Sequence, residues 1–263
     1  MKYVLVTGGY GGMGRKTCQE LIKQGFTVFA LDLKVEEKQD NLIPLQVDIT
    51  SEESIINAFN EVKKITNNLF AIIHFAGIYM LDSLFEIETK DFEKIFNINL
   101  KGVFLINKIF KPLLLSGSRI IITTSELAPL DPLPFTGIYA ISKASLDKYA
   151  YSLRMEAQLL NISVSVIRAG AVKTNMLNAS TTALDNFCNK TELYKCNSKR
   201  FKKIVDSVEA KNVLPSKIAN KVVKILKKKN PKFAYKINNN FYLKLLNVLP
   251  KRLQFYLIRQ LLK

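Results

Sequence analysis

The chain has 263 residues, of which 48% are hydrophobic, and a formal net charge of +17. This length is sufficient for one large α/β domain with its own core. No apolar run reaches the roughly 18 residues that a membrane-crossing helix needs, and a strand-like start predicts no cleavable signal peptide. The cysteines Cys18, Cys188 and Cys196 show no metal-ligand spacing, so we expect reduced thiols, a cytoplasmic protein and no metal site.

The positive charge is concentrated in the last part of the chain. Residues 190–263 contain 20 Lys/Arg and 3 Asp/Glu, whereas residues 1–189 contain 19 of each kind. Either a solvated basic face or attraction to an anionic surface accounts for such a segment. A nucleic-acid partner is not favoured, because the basic region contains no recognisable binding module.

The chain begins with a β-branched run, residues 2–7, that ends in a glycine-rich turn. A helix-like segment over 15–25 follows. A strand, a glycine turn and a helix N-terminus together form a pyrophosphate site, since glycine allows close backbone approach and the free N–H groups face the phosphates. The residues of the turn expected to bind a dinucleotide are Gly8, Tyr10, Gly12, Met13 and Gly14.

Strand-like and helix-like segments alternate through the rest of the chain. Strands are predicted at 27–32, 43–48, 69–75, 119–124 and 162–167, and helices at 51–65, 91–115 and 138–160. This alternation predicts an α/β fold, a Rossmann-like doubly wound parallel sheet with helices on both faces. Further on, we predict a polar loop or helical insertion over 178–200, a helix over 215–228 and a seventh strand over 233–237. A single dinucleotide-binding and catalytic domain over 1–237 would then be followed by a basic tail over 238–263.

Asp32 ends the second predicted strand, 18 residues after Gly14. A carboxylate at this place accepts hydrogen bonds from the adenine-ribose diol. Because it repels the additional phosphate of NADP, it favours NAD as the cofactor. Lys34 nearby weakens this discrimination, since a flexible cation tolerates a 2′-phosphate.

Tyr139 and Lys143 are four residues apart and lie on one face of a predicted helix. A nearby cation favours the phenolate, so we expect a lowered pKa for Tyr139 and a role in acid/base chemistry. Ser125 follows a strand just before this helix, where its hydroxyl can hydrogen-bond a substrate carbonyl.

In this combination the chain resembles the classical short-chain dehydrogenase/reductases over almost all of residues 1–237. The matching pieces are Thr7-Gly8-x-x-x-Gly12-x-Gly14, Asp32, Asp48, Ala76-Gly77, Asn99, Ser125, Tyr139-x-x-x-Lys143 and Thr174. The resemblance implies that Tyr139 is the general acid/base, that Lys143 binds the nicotinamide ribose and tunes the tyrosine, and that Ser125 positions the carbonyl or alcohol. Asn99 would support a water-linked proton relay.

The same resemblance implies the remaining cofactor contacts. Asp48 and Ile49 would contact the adenine, Thr174 the nicotinamide side, and Ala76 with Gly77 would line the cofactor site. A secondary alcohol and a carbonyl would be interconverted with NAD(H), on an apolar small molecule. The sequence leaves the oligomeric state open, with a homo-oligomer as one alternative.

Three departures from the family pattern keep alternatives open. His74-Phe75-Ala76-Gly77 replaces the usual Asn-Asn-Ala-Gly, Ala169-Gly170 replaces Pro-Gly, and Ser125 precedes Tyr139 by 14 residues, one more than is common. Gly8, Gly11 and Gly14 also satisfy the turn of nucleotide-sugar epimerases and dehydratases, which are the enzyme alternative. A non-catalytic dinucleotide-binding scaffold at a membrane is the other. For His74, the single histidine, a hydrogen-bonded structural role is favoured over a catalytic one.

The tail predicts a helix with a broad apolar face and a narrow basic stripe. Positions 253, 256, 257, 260 and 261 follow the helical repeat, and Phe255, Ile258 and Leu262 widen the apolar arc. Two interpretations remain: a helix that covers the substrate pocket or a subunit interface, and a peripheral membrane anchor with its cations at the headgroups. The tail resembles those of steroid- and retinoid-type members of the family.

Overall fold

The computed structural model describes residues 2–207 and 212–263, around a sheet of seven parallel strands in the order β3-β2-β1-β4-β5-β6-β7. The strands are β1 Lys2–Thr7, β2 Phe26–Asp32, β3 Leu42–Gln46, β4 Leu69–His74, β5 Arg119–Thr123, β6 Ser163–Ala169 and β7 Ala234–Ile237. The helices are α1 Gly12–Lys23, α2 Glu52–Ile65, α3 Thr89–Phe96, α4 Gly102–Phe110, α5 Gly137–Ala157, α6 Asn175–Lys190, α7 Lys195–Ser207, α8 Pro215–Leu226, α9 Phe241–Val248 and α10 Lys251–Leu262. The predicted doubly wound, Rossmann-like fold is confirmed.

The strands are apolar on both faces because helices cover both sides of the sheet. Leu5 and Phe29 belong to the core shared with α4 and α5, whereas Val4 and Val28, their neighbours along the strands, belong to the core shared with α1 and α8. Burying each such side chain contributes roughly 1.5–3 kcal/mol relative to leaving it exposed. The two cores therefore fix the sheet, and with it the place where its carboxyl edge lies.

The strand order reverses between β1 and β4, which are hydrogen-bonded neighbours at the centre of the sheet. In open parallel sheets, ligands bind in the crevice outside the carboxyl ends of the strands at such a reversal. The glycine turn after β1, Asp32 at the end of β2 and Ala76 just after β4 lie around this crevice.

The long helix predicted over 91–115 is present as one helical run from Thr89 to Leu113. A π-helical turn over Asn97–Lys101, which the sequence analysis did not predict, lies within it between α3 and α4. Asn99 in this turn bonds sideways to the backbone of Ile78 rather than along the helix axis. π-Helical turns of this kind are frequent at functional sites.

The polar stretch 178–200, predicted as a loop or helical insertion, lies mainly in α6 and α7. The carboxylate of Glu86 closes the turn between them by accepting the backbone N–H groups of Glu192 and Leu193. The inner faces of these helices join an apolar cluster with α10, whose buried members are Leu81, Leu184, Phe187, Phe201 and Leu262; we call this the lid cluster. The sequence of this stretch is largely polar because only one face of each helix packs into the lid cluster.

The C-terminal tail forms α9 and α10, on either side of Pro250. Leu262 and Ile258 of α10 pack into the lid cluster, while Tyr256 and Phe255 are 59% and 67% exposed. The buried face is therefore not the 253/256/257 face that the helical repeat predicts, since α10 is apolar around most of its circumference. Within the described residues, no helix combines the length and the apolarity that crossing a membrane requires.

Candidate active site

The glycine turn is shaped by contacts that only glycine permits. Gly8 has a φ of +66°, and its carbonyl oxygen would lie 1.9 Å from a Cβ at Gly14. Helix α1 begins directly after this turn, at Gly12, and no side chain caps its N-terminus. The free N–H groups and the positive end of the helix dipole suit a pyrophosphate, so the residues present fit a dinucleotide.

A carboxylate lies at the end of β2, and another follows the end of the neighbouring strand β3. Asp32 accepts the backbone N–H groups of Tyr10 and Leu33, at 3.0 and 2.9 Å. The carboxylate of Asp48 accepts both the backbone N–H and the hydroxyl of Thr50, at 2.8 and 2.7 Å. This turn around Asp48 ends β3 at Gln46, two residues earlier than the sequence predicts.

Ile49, expected to contact the adenine, also packs against helix α4. A Cβ at Gly102 would lie 2.8 Å from its Cδ1, so the side chain is in close contact with the start of that helix. Its half-buried position still leaves part of the side chain accessible. Ile49 therefore supports the start of α4, and its predicted contact with the adenine stays a prediction.

An ion pair lies beside the Asp32 carboxylate. The Arg15 guanidinium donates two hydrogen bonds to the carboxylate of Glu36, and it also lies over the ring of Tyr10, 5.6 Å from the ring centroid. Both members of the pair are about half exposed. The charge of Arg15 is thus balanced by Glu36. Without this pair, the guanidinium would be available to a phosphate on the adenine ribose.

The loops after β4 and β6 close over the glycine turn. A Cβ at Gly8 would lie 2.7 Å from the backbone nitrogen of Ala76, and one at Gly12 would lie 2.7 Å from the methyl group of Thr174. Thr174 is the residue just before α6, so that helix begins next to the phosphate-binding turn. Four of the residues predicted to bind the cofactor therefore form two close pairs, Gly8 with Ala76 and Gly12 with Thr174.

Tyr139, in the first turn of α5, is buried next to Ser125, which follows β5 by two residues. The Ser125 hydroxyl hydrogen-bonds the Tyr139 phenol, and the ring of Tyr79 lies 4.7 Å away between centroids. Burial raises the pKa of Tyr139 and outweighs the hydrogen bond from Ser125. The predicted lowering of this pKa is therefore wrong for the protein alone, and the phenol is protonated at neutral pH.

Lys143 lies one helical turn after Tyr139, with 5% of its surface exposed. Its ammonium donates to the carbonyl oxygen of Thr123 at 3.4 Å, and burial lowers the pKa of Lys143 to about 8. A Cβ at Gly77 would lie 3.4 Å from the ammonium, so these two residues border the same space.

Asn99 is completely buried and holds the backbone after Gly77. Its side chain accepts the N–H of Ile78 at 2.8 Å, donates to the carbonyl of Ile78 at 3.0 Å and donates to the hydroxyl of Ser142 at 3.1 Å. All three bonds are made by the side chain of Asn99, which the π-helical turn directs away from the helix axis. Ser125, Tyr139, Lys143 and Asn99 are thus brought together from three elements at the carboxyl edge of the sheet.

Comparisons with known proteins identify the family of this chain. Residues 2–185 match a family model described as short chain dehydrogenase. The chain belongs to this family. A short chain dehydrogenase family protein from Francisella tularensis subsp. tularensis SCHU S4 has the same fold, with a TM-score of 0.76, 21% sequence identity and coverage of 92% of this chain and 99% of that chain.

Two similar curated proteins differ in the share of their own length that aligns with this chain. The NADPH-dependent 1-acyldihydroxyacetone phosphate reductase of Schizosaccharomyces pombe is 32% identical over 182 residues, which are 66% of this chain but 61% of that protein. The 3-ketodihydrosphingosine reductase of Bacteroides thetaiotaomicron is 26% identical over 235 residues, 89% of this chain and 87% of that protein. The chain thus spans less than two thirds of the first relative's length.

Within this short chain dehydrogenase, His74 is a core residue, and the prediction that it is hydrogen-bonded there is confirmed. Its Nε2 lies 3.0 Å from the side-chain oxygen of Asn107, whose amide nitrogen donates to the hydroxyl of Tyr149 at 3.2 Å. Burial lowers the pKa of His74 to about 4, so the ring is neutral at pH 7. Across residues 2–207 and 212–263, no group of three His, Cys, Asp or Glu side chains is placed to hold a metal ion.

The sequence analysis did not identify two residues that lie at the site. Tyr79 packs on the Tyr139 ring and also contacts the lid cluster, and Glu126 places a half-buried carboxylate directly after Ser125. The signal for Glu126 was present, because a charged residue just past a buried strand lies at the carboxyl edge of the sheet. Tyr79 carried no comparable signal, since its neighbours in the sequence are apolar.

Proposed function

We propose that this protein is an NAD(H)-dependent oxidoreductase that interconverts a secondary alcohol and a carbonyl. The observation that carries the proposal is the meeting of Ser125, Tyr139 and Lys143 next to a glycine turn that fits a pyrophosphate. The buried phenol and the buried ammonium are costly to keep in the fold unless they serve chemistry. A scaffold that only binds dinucleotide would not need them.

The nicotinamide, when bound, supplies or accepts the hydride, and the protein provides orientation and proton transfer. The turn from Gly8 to Gly14 would hold the pyrophosphate, Asp32 the adenine ribose, and Lys143 the nicotinamide ribose beside Gly77. In the reducing direction the protonated phenol of Tyr139 donates its proton to the carbonyl oxygen. Ser125 donates a hydrogen bond to the same oxygen and keeps it in place.

The preference for NAD over NADP follows from the charges around the end of β2. Asp32 repels a 2′-phosphate, and Arg15, the cation nearest to it in the turn, is neutralised by Glu36. Lys34 remains exposed and does not offset both effects. This preference is opposite to that stated in the name of the Schizosaccharomyces pombe relative, which makes the cofactor a discriminating test.

The substrate we propose is an apolar ketone or alcohol. The ring of Tyr79 packs on the ring of Tyr139 and also contacts the lid cluster. The aromatic rings of that cluster are Phe135, Phe187 and Phe201. The two relatives named above are reductases of 1-acyldihydroxyacetone phosphate and 3-ketodihydrosphingosine. An acyl or other long apolar chain is compatible with an aromatic lid of this composition.

We further propose that the tail binds an anionic membrane surface with the face that does not pack on the lid cluster. Eight large apolar side chains on α9 and α10 are exposed: Phe241, Tyr242, Leu245, Val248, Leu253, Phe255, Tyr256 and Leu261. Lysines and arginines are interleaved with them, and the whole positive excess of the chain lies in residues 190–263. Both interpretations of the tail therefore apply, one to each face of α10.

The experiment that tests the function is a panel of long-chain ketones and secondary alcohols, followed by nicotinamide absorbance with NAD(H) and NADP(H). We expect turnover of at least one apolar substrate, faster with NAD(H). Binding of a uridine nucleotide in place of any ketone or alcohol turnover would instead support the nucleotide-sugar alternative. Dinucleotide binding with no turnover of any carbonyl would support a scaffold.

A further inference from the structure

Glu126 lies at the corner where β5, β6 and β7 end. It directly follows Ser125, and its backbone N–H donates to the carbonyl of Ala169 at 2.9 Å. The side chain turns toward Gly170, where a Cβ would lie 2.9 Å from Oε1. The same Cβ would lie 1.9 Å from the carbonyl oxygen of Asn238, so Gly170 leaves room for that backbone as well as for the Glu126 carboxylate.

Only one oxygen of this carboxylate has a hydrogen-bond partner in the described part of the chain. Oε2 accepts the backbone N–H of Asn240 at 2.5 Å, just before α9. No described residue donates to Oε1, and the charge of Lys244 acts on the carboxylate without forming an ion pair. Oε1 does not belong to the buried atoms that lack a partner in the described part of the chain, so it is open to water or to a ligand that displaces water. A donor from outside the chain can therefore reach it.

The carboxylate also acts on the reacting centre. Its charge raises the pKa of Tyr139, although burial and Tyr79 are larger influences on the same phenol. A negative charge that reaches the phenol also reaches a group bonded next to the substrate carbonyl, since that carbonyl must lie against Tyr139 and Ser125. The position of Glu126 thus restricts what the substrate carries at the carbon beside the reacting one.

We infer that Glu126 is a substrate-recognition residue whose Oε1 accepts a hydrogen bond from an ammonium group on the carbon adjacent to the reacting carbonyl. The inference rests on the proposed function and adds the substrate class, a long-chain α-amino ketone. An ammonium matches the carboxylate in charge and supplies the missing donor. A plain ketone leaves the carboxylate without one.

The competing explanation is that Glu126 only fastens α9 through Asn240. Glu126→Gln separates the two, because its amide oxygen still accepts the Asn240 N–H while the negative charge is lost. Asp131→Asn is the matched control: Asp131 pairs with Lys251 and its backbone N–H donates to Asn247, so it fastens the same tail without facing Tyr139. Loosening the tail alone should leave substrate preference unchanged.

The experiment compares a long-chain 2-amino-3-ketone with the 3-ketone of equal length that lacks the amine, using NADH. We expect the wild type to favour the amino ketone by about 10- to 100-fold in kcat/KM, the range for a hydrogen bond to a charged group. Glu126→Gln should lose most of this ratio, and Asp131→Asn should retain it. Equal kcat/KM for the two ketones, or a ratio that survives in Glu126→Gln, overturns the inference while the oxidoreductase activity stands.

A binding measurement separates a failure of the proposed function from a failure of this inference. The long-chain 2-amino-3-alcohol and its 3-alcohol analogue are titrated into the enzyme–NADH complex, with NADH fluorescence as the readout. Tighter binding of the amino alcohol that disappears in Glu126→Gln supports the inference even where no ketone is reduced. Equal binding of the two alcohols contradicts it in either case.

Discussion

The carboxylate of Asp32 accepts the backbone N–H of Tyr10 at 3.0 Å, which joins the end of β2 to the glycine turn. The loop that would receive the pyrophosphate and the carboxylate that would receive the adenine ribose are therefore held as one unit. Both halves of the cofactor's adenosine diphosphate portion would meet a preformed surface, and preformed surfaces lose little affinity to ordering on binding.

This geometry predicts tighter binding of NADH than of NADPH. Asp32→Ala should narrow the difference, because the repulsion of the 2′-phosphate is removed together with the acceptor for the ribose diol. Fluorescence titration of both cofactors measures it, with Asp40→Ala as the control at an exposed carboxylate beyond the ion pair. Stronger NADPH binding by the wild type would contradict the assignment and give Lys34 and Arg15 the larger role.

Tyr139→Phe should lower kcat by at least about 10²-fold, the lower range for a positioned acid/base. The ring that packs on Tyr79 is preserved, so we expect a folded protein with nearly unchanged NADH affinity. Tyr151→Phe is the matched control, since Tyr151 lies on the same helix with 52% of its surface exposed. Near-normal turnover by Tyr139→Phe would reject Tyr139 as the proton donor.

His74 predicts a loss of stability in acid. In the unfolded chain the ring takes up a proton below about pH 6.5, whereas in the fold it does so only below about pH 4, since burial lowers its pKa. The unfolded state binds more protons between these values, so the free energy of unfolding falls as the pH decreases through them. Between pH 7 and pH 4, His74 alone should lower the free energy of unfolding by about 3 kcal/mol.

Urea unfolding of the wild type and His74→Asn across this pH range checks the prediction. The asparagine retains a polar side chain that can bond Asn107 but does not titrate, so its stability should depend less steeply on pH. Identical pH dependence for the two proteins would show that the buried ring is not responsible.

The tail predicts binding to vesicles that contain anionic lipid, weakening as salt screens the lysines and arginines. Replacing Phe255 and Tyr256 by serine should reduce binding, because both are exposed on α10. Lys16→Ser and Lys23→Ser on α1 provide a control that removes charge far along the chain from the tail. Co-sedimentation at two salt concentrations measures binding, and a wild type that ignores anionic vesicles at low salt would reject the membrane surface as its partner.

The sequence predicted the features that depend on local chemistry. The glycine turn, the strand ending in Asp32 and the spacing of Tyr139 and Lys143 were all readable, because each is set by neighbours in the chain. The π-helical turn around Asn99 was not, since it depends on bonds to Ile78, which is 21 residues away. The pKa of Tyr139 was predicted in the wrong direction for a related reason: burial beneath Tyr79 is a tertiary effect that spacing along a helix does not reveal.

The last turn of α10 is unusually well held for a terminal helix. The carbonyl of Leu262 accepts the side-chain amide of Asn197, and its own side chain is buried between α6 and α7. Helix ends ordinarily open on fast timescales, but this one cannot open without uncovering the lid cluster. Amide hydrogen exchange in these residues would therefore report on the packing of α10 against α6 and α7 in the lid cluster.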